Sequence, residues 1–239
     1  MSGPIGTGLD PAALGDAEFD RALVASAFAV IAERGYARLS VGAAARLGGL
    51  PLDRARARFP CRVAVLLRFG RIADQAALAG DAGAEGSVRD RLFEAVMRRI
   101  DVLQAHRAGV LALLRGLPFE PVTALLLAAA TLRSMAWLLD GAGVPASGPL
   151  GALRAKALLA VWLWTVRAWQ RDGSADLSAT MAALDGSLAR AEQAAAWLPD
   201  RTTRESPEAP PDEVVPPAPP PPDPPEAPPF PAPPAMPPI

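Results

Sequence analysis

Residues 39–59 read LSVGAAARLGGLPLDRARARF. Ser40 stands before an Ala-rich stretch, where a serine side chain can accept a hydrogen bond from the first turn of a helix. Gly48-Gly49 permits a sharp turn. Pro51 suits the start of a second helix, in which arginine occupies every other position. Two short helices joined by a tight turn are typical of the helix-turn-helix, whose second helix lies in a DNA groove. The stretch therefore predicts a DNA-binding element.

Helical patterns continue on both sides of this stretch. Between residues 15 and 198 the sequence is rich in Ala, Leu and Arg and lacks the alternation of apolar and polar residues that marks strands. We therefore predict an all-α fold, with helix ends marked by capping serines, glycines and prolines. About nine helices are expected, at 16–34, 41–47, 51–59, 60–79 and 88–104, at 106–115, from the Pro118 and Pro121 break to 140, at 150–171 and at 176–197.

Composition divides the chain into four parts. Residues 1–15 are Gly/Pro-rich and predicted to be flexible, 16–80 form the helix-turn-helix domain, and 87–198 form a helical body. A Gly/Ala/acid linker at 81–86 separates the two domains. The last part, 199–239, holds 19 prolines among 41 residues, and its acids outnumber its bases 7 to 2. Such a segment has no apolar face to bury, so we predict a disordered acidic tail.

Positive charge is concentrated near the predicted helix-turn-helix, although the whole chain has a formal net charge of −1. Between residues 35 and 73 there are eight arginines and one acid, Asp53, which gives a local net charge of +7. A basic segment of this kind attracts polyanions, either DNA or an anionic membrane face. A general preference for arginine over lysine explains the residue type but not the clustering. The eight positions are Arg38, Arg46, Arg54, Arg56, Arg58, Arg62, Arg68 and Arg71.

The sequence lacks the residue clusters that catalysis or metal binding requires. It has one histidine, His106, and one cysteine, Cys61, and no glycine-rich phosphate loop. We therefore expect no enzyme activity, no metal and no cofactor. A single cysteine fits a reducing compartment, so a cytoplasmic location is expected. The apolar stretches at 122–139 and 157–166 are interrupted by arginine or too short to span a bilayer, and we expect buried helices there rather than an integral membrane segment.

Three segments carry a family resemblance. ERGYARLSV at 33–41, the Gly-Gly-Leu turn at 48–50 and RFPCRVAVLL at 58–67 resemble the TetR family of one-component bacterial repressors. The resemblance covers residues 16–80 by motif and the rest by helix number and length. It implies an all-α, TetR-like fold with a three-helix DNA-binding head, a ligand-binding body and dimerisation through the last two long helices.

The resemblance also implies which residues contact DNA. Ser40 and Arg62 correspond to phosphate-contacting positions, and Arg54, Arg56 and Arg58 lie on or beside the recognition helix. Arginine can bind guanine or phosphate with two parallel hydrogen bonds. The sequence departs from the family pattern where Arg56 replaces a tyrosine, Arg58 a histidine, Cys61 a capping serine or threonine, and Val63 an acid. The predicted DNA-binding residues are Ser40, Arg46, Leu52, Asp53, Arg54, Arg56, Arg58 and Arg62.

The body is expected to hold an apolar cavity and a dimer interface. Its tryptophans can line a pocket or pack in a core, and in a helical body both are possible together. Since few polar groups point toward such a cavity, a hydrophobic small ligand or lipid is expected. The predicted pocket residues are Phe93, Met97, Leu113, Phe119, Leu127, Met135, Trp137 and Trp162. Apolar residues at helical spacing in 150–197 predict a homodimer through a four-helix interface.

A second resemblance gives an alternative function. Residues 89–115 and 154–190 resemble the lipid-binding accessory proteins of ubiquinone biosynthesis, which share the TetR-like fold and act at a membrane face. On that hypothesis the arginines would contact anionic lipid rather than DNA. We favour the first hypothesis, a dimeric regulator whose DNA affinity is changed by a hydrophobic ligand, because the arginines concentrate on the predicted recognition helix.

Overall fold

A computed structural model describes residues 14–80 and 86–196, and over these residues the chain is helical without a strand. The predicted all-α fold is confirmed. Most of the predicted N-terminal segment 1–15, the linker and the Pro-rich tail lie outside the described residues. The helices are α1 Asp16–Arg34, α2 Val41–Leu47, α3 Leu52–Arg58, α4 Arg62–Leu78, α5 Val88–Ala105, α6 Arg107–Gly116, α7 Pro121–Gly141, α8 Gly148–Arg171 and α9 Ser178–Ala196, with short 3-10 turns at Tyr36–Arg38 and Leu117–Phe119.

Helix ends follow local capping chemistry. Ser40 accepts a hydrogen bond from the backbone N–H of Ala43 at 3.0 Å, and Ser87 forms a capping box with Asp90. The start of α9 differs from the predicted residue 176. Leu177 has a φ of +56°, a left-handed conformation that interrupts helical geometry, so α9 begins at Ser178.

Large apolar side chains fill the interior of both halves. In the head, residues 16–80, Phe19, Leu23 and Ala27 of α1 are fully buried, and so are the alanines at positions 44, 45 and 55 of α2 and α3. In the body, residues 86–196, Trp169 and Leu184 are fully buried. Each fully buried side chain of this size contributes about 1.5–3 kcal/mol relative to an exposed one.

An aspartate fixes the turn between α8 and α9. Asp172 accepts hydrogen bonds from the backbone N–H and hydroxyl of Thr180, at 2.8 and 2.7 Å, and from Ser174. The hydrogen bonds from Ser174 and Thr180 lower the pKa of Asp172. The carboxylate thus joins the start of α9 to the end of α8.

The head and body meet through aromatic rings and one glycine. The ring centroid of Phe28 in α1 lies 4.4 Å from that of Phe69 in α4 and 5.5 Å from that of His106, which lies at the junction of α5 and α6. The imidazole of His106 is half-buried against these rings, and burial lowers its pKa. Gly109 of α6 lies directly against the Phe28 carbonyl.

Two helices are less enclosed than predicted. By length and composition α7 and α8 would suffice to cross a membrane, although core helices of other proteins pass the same test. We predicted that both apolar stretches would be buried, yet only 28% of the apolar part of α7 is. Its apolar residues occupy nearly every side of the helix, so Val122, Leu125 and Leu126 remain exposed.

Candidate nucleic-acid interface and body cavity

Two glycines set the turn between α2 and α3. Gly49 has a φ of +64°, which favours glycine, and a Cβ on Gly48 would lie 2.4 Å from the Ser26 hydroxyl of α1. The Leu50 N–H donates to the Ala45 carbonyl at 2.9 Å and closes the turn. The turn between α2 and α3 is therefore packed closely against α1.

The outer face of this unit carries the exposed polar groups. Ser40, Arg46, Asp53 and Arg56 are exposed, as is Leu52. A Cβ on Gly42 would lie 3.4 Å from the Arg46 Nη1 and 3.9 Å from Leu52, so the end of α2 and the start of α3 form one continuous surface. Arg56 donates to the Pro60 carbonyl at 2.7 Å along the same surface.

Two acids of α1 bind the remaining arginines of α3, and we call Asp16 and Asp20 the acidic clamp. Arg58 donates to both oxygens of Asp20, at 2.7 and 2.9 Å, and lies 2.6 Å from Asp16. Arg54 lies 2.8 Å from Asp16, and Arg68 of α4 lies 2.7 Å from Asp20. Hydrogen bonds from Arg54 and Arg58 lower the pKa of Asp16, and the bond to Asp20 raises that of Arg58. These arginines hold α3 and α4 to α1.

Arg62 is bound by the body instead. Its Nη2 lies 3.0 Å from both carboxylate oxygens of Glu120, and its guanidinium stacks 4.6 Å above the ring of Tyr36. The Tyr36 hydroxyl in turn lies 3.3 Å from the Thr123 hydroxyl of α7. The start of α7 is thus attached to the head at two points.

The acids change the electrostatic prediction for this region. Four of the eight arginines in the basic segment have carboxylate partners, and the sequence prediction missed them because the acids lie in α1 and just before α7. The sequence did contain one signal. Asp16 and Asp20 are four residues apart, and so are Arg54 and Arg58, which places each pair on one face of its helix. Within the described part of the chain, the arginines of this segment without an ion-pair partner are Arg38, Arg46, Arg56 and Arg71.

The predicted pocket residues separate into two groups. An inner cavity of about 330 Å³ is lined by Leu113, Leu127 and Trp162, and a rim cavity of about 500 Å³ is lined by Leu127 and the exposed Trp137. The other four residues line neither cavity. Phe119 is 86% exposed in the 3-10 turn before α7, whereas Met135 is fully buried and Phe93 and Met97 pack against the core.

Sequence reasoning missed the polar residues of these cavities. Arg99 of α5 lines both, and its side chain is only 5% exposed. It forms an ion pair with Asp74 of α4, whose second oxygen accepts a hydrogen bond from Ser134 at 2.6 Å. The sequence signal was that the residues three and four positions from Arg99, on the same helix face, are all apolar: Ala95, Val96, Val102 and Leu103.

Two solved structures resemble the chain in its architecture. The TetR transcriptional regulator from Nitrosomonas europaea superposes with a TM-score of 0.61 at 19% identity, covering 75% of this chain and 99% of that one. The chain has the TetR-like fold. A second protein, from Rhodococcus sp. and assigned to the TetR family, superposes with a TM-score of 0.52 at 18% identity, covering 72% and 97% of the two chains.

The TetR-like fold confirms the resemblance of residues 16–80 at the level of architecture. At these identities the likeness is one of fold. No family model and no curated protein matches the sequence. The comparisons give no support to the second resemblance, to the lipid-binding accessory proteins of ubiquinone biosynthesis.

Proposed function

We propose that this protein is a cytoplasmic, dimeric, DNA-binding transcriptional regulator whose affinity for its operator changes when a hydrophobic small ligand binds in the body. The observation that carries the proposal is the exposed face of α2 and α3. It presents Arg46, Leu52 and Arg56 on a helix-turn-helix that is fixed to α1 by apolar packing and by the acidic clamp. A rigid support of this kind suits base reading, because recognition requires side chains held in register with base edges.

The eight predicted DNA-binding residues have different roles in this proposal. Ser40, Arg46, Leu52, Asp53 and Arg56 face outward and are the proposed contacts with phosphates and base edges. Arg54, Arg58 and Arg62 are bound by carboxylates within the chain, so we propose that they position the helices.

The dimer is proposed to form through residues 150–197. Leu153, Leu163 and Trp164 are exposed on α8, and a shallow apolar groove between Trp164 and Ala191 runs along α8 and α9. Two copies packed on this face would form a four-helix interface and cover these side chains. They would also hold two heads at a fixed separation, as a palindromic site requires.

Ligand control is proposed to act through α4 and α7. Both helices line the cavities. The fourth helix is itself part of the head, and the start of α7 contacts the head through Glu120 and Thr123. A ligand that binds more tightly to one arrangement of these helices shifts the population of head positions, and thereby the DNA affinity.

The test is DNA binding by the variant Arg46→Ala/Arg56→Ala. Fluorescence anisotropy with the protein's own promoter should show at least a tenfold loss of affinity and a shallower dependence on salt concentration, by about one unit of slope per lost phosphate contact. The control Arg34→Ala/Arg115→Ala removes the same charge from exposed positions of α1 and α6, outside α2 and α3 and outside both cavities. Equal effects of the two double variants would contradict the proposed interface.

A further inference from the structure

Arg99 is a buried, charged side chain of the body to which the proposed function assigns no role. Its side chain is 5% exposed, its guanidinium stacks 4.8 Å above the ring of Trp162, and burial lowers its pKa to about 10, so it stays charged near neutral pH. Its Nη1 forms the ion pair with Asp74, and its Nε has no hydrogen-bond acceptor within residues 14–80 and 86–196. Buried donors without acceptors are costly, and they mark a place where an acceptor can bind.

The surroundings of Arg99 have an excess of positive charge. Among the described residues, Asp74 is the one acid that lines the rim cavity, and it is already shared between Arg99 and the Ser134 hydroxyl. Arg71 and Arg133 line the same cavity and are exposed at its edge. Three arginines and one aspartate therefore line the rim cavity. This excess of positive charge gives the cavity a positive electrostatic potential, which attracts an anion.

An apolar chamber lies behind the arginine. The rim cavity and the inner cavity share lining residues, among them Leu66, Arg99 and Leu127, so Arg99 borders both. Apart from Arg99 and Thr131, the side chains lining the inner cavity are apolar, and they include Phe69 and Trp162. A molecule with a negatively charged end and an apolar chain would match the arginines of the rim cavity with one end and the apolar lining of the inner cavity with the other.

We propose that the body binds an amphipathic organic acid, with its carboxylate on Arg99 and its apolar chain in the inner cavity. The planar guanidinium fork matches a carboxylate, to which it can donate two parallel hydrogen bonds. This inference rests on the proposed function for its biological meaning, and it replaces the expected purely hydrophobic ligand with an acid.

The same contact connects the ligand to the head. The arriving carboxylate competes with Asp74 for Arg99 and weakens the link that joins α4, α5 and, through Ser134, α7. Since α4 belongs to the head and the start of α7 contacts it, the exchange of partners is expected to change the position of the head relative to α5.

The experiment is calorimetric titration of the delipidated full-length protein with decanoate and with 1-decanol, without DNA. Decanoate is expected to bind at least tenfold more tightly than the alcohol of equal chain length. The double variant Arg99→Met/Asp74→Asn removes both charges of the buried pair and should abolish this preference while it retains decanol binding. Because no DNA is present, the outcome is independent of whether the protein binds an operator.

Further variants keep the test decisive. Arg99→Lys preserves the ion pair with Asp74 but not the fork, so it should weaken decanoate about tenfold and leave decanol unchanged. Arg98→Met, which lies beside it but lines neither cavity, should bind both probes like the wild type. Equal affinity of the wild type for decanoate and decanol, or an undiminished preference in both Arg99 variants, would overturn the proposal. A tenfold preference for decyl phosphate over decanoate would overturn the assignment to carboxylates.

Discussion

The role of each arginine side chain in the head depends on whether a carboxylate of the same chain binds it. Arg54 and Arg56 are two positions apart in one short helix, yet one binds the acidic clamp and the other lies on the outer surface. Residue type and spacing alone predict DNA contacts for both. Only the position of α1 relative to α3 separates a structural arginine from one that is available to DNA.

The acidic clamp gives a matched pair of predictions for stability. Asp20 is almost fully buried and bound by Arg58 and Arg68. Asp20→Ala leaves the partly buried Arg68 without a carboxylate partner and Arg58 with the exposed Asp16 alone, and it should cost about 2–4 kcal/mol of unfolding free energy. Asp16 is 68% exposed, and Asp16→Ala should cost much less, because water screens its interactions. Urea denaturation of both variants measures the difference. Equal losses would show that the buried pair has no special role.

These residues also show how far sequence reasoning extends. The caps at Ser40 and Ser87 were predictable because the partner of each side chain lies three residues away. The pairing of Arg54 with Asp16 spans 38 residues, and that of Arg62 with Glu120 spans 58. Contacts at such separations depend on how the helices pack, which the local pattern does not contain.

Helices of the two halves approach each other closely at α1 and α6. A Cβ on Gly109 would lie 2.4 Å from the Phe28 carbonyl oxygen, a backbone atom that cannot move away without moving α1. The sequence predicted α6 but gave no reason for a glycine inside it. The reason is this close approach, which only the packed helices reveal.

Gly109→Ala is therefore expected to destabilise the fold by about 1–3 kcal/mol, because the two helices must separate. Gly70→Ala is the control, since a Cβ there meets no atom within 4 Å. In a helix interior that change should stabilise by about 0.5–1 kcal/mol. Thermal unfolding of both variants tests the pair, and a neutral Gly109→Ala would mean that the α1–α6 contact is looser than described.

At the scale of the whole molecule, the described residues leave large apolar side chains exposed on two long helices. Leu163 and Trp164 are exposed on α8, and Val122 and Leu125 on α7. The sequence predicted these helices and their apolar character, but it could not predict which side of each would remain uncovered. That depends on how many neighbours surround the helix, and α7 has too few within the described residues to cover all of its sides.

The proposed dimer predicts which of these faces is covered. Trp164→Lys places a charge in the proposed four-helix interface and should convert a dimer to a monomer in light scattering after gel filtration. Leu125→Lys makes the same kind of change on α7, outside residues 150–197, and should leave the dimer intact. Dissociation by Leu125→Lys but not by Trp164→Lys would place the interface on α7 instead.

The central claim, that the molecule is a sequence-specific DNA-binding regulator, has one most direct test. The purified protein is titrated against its own promoter and against shuffled DNA of equal length at about 150 mM salt, where non-specific binding is weakened. The account predicts a preference for the promoter of at least tenfold. Equal or absent binding to the two DNAs would contradict it, and the exposed face of α2 and α3 would then be a general basic surface rather than a reader of sequence.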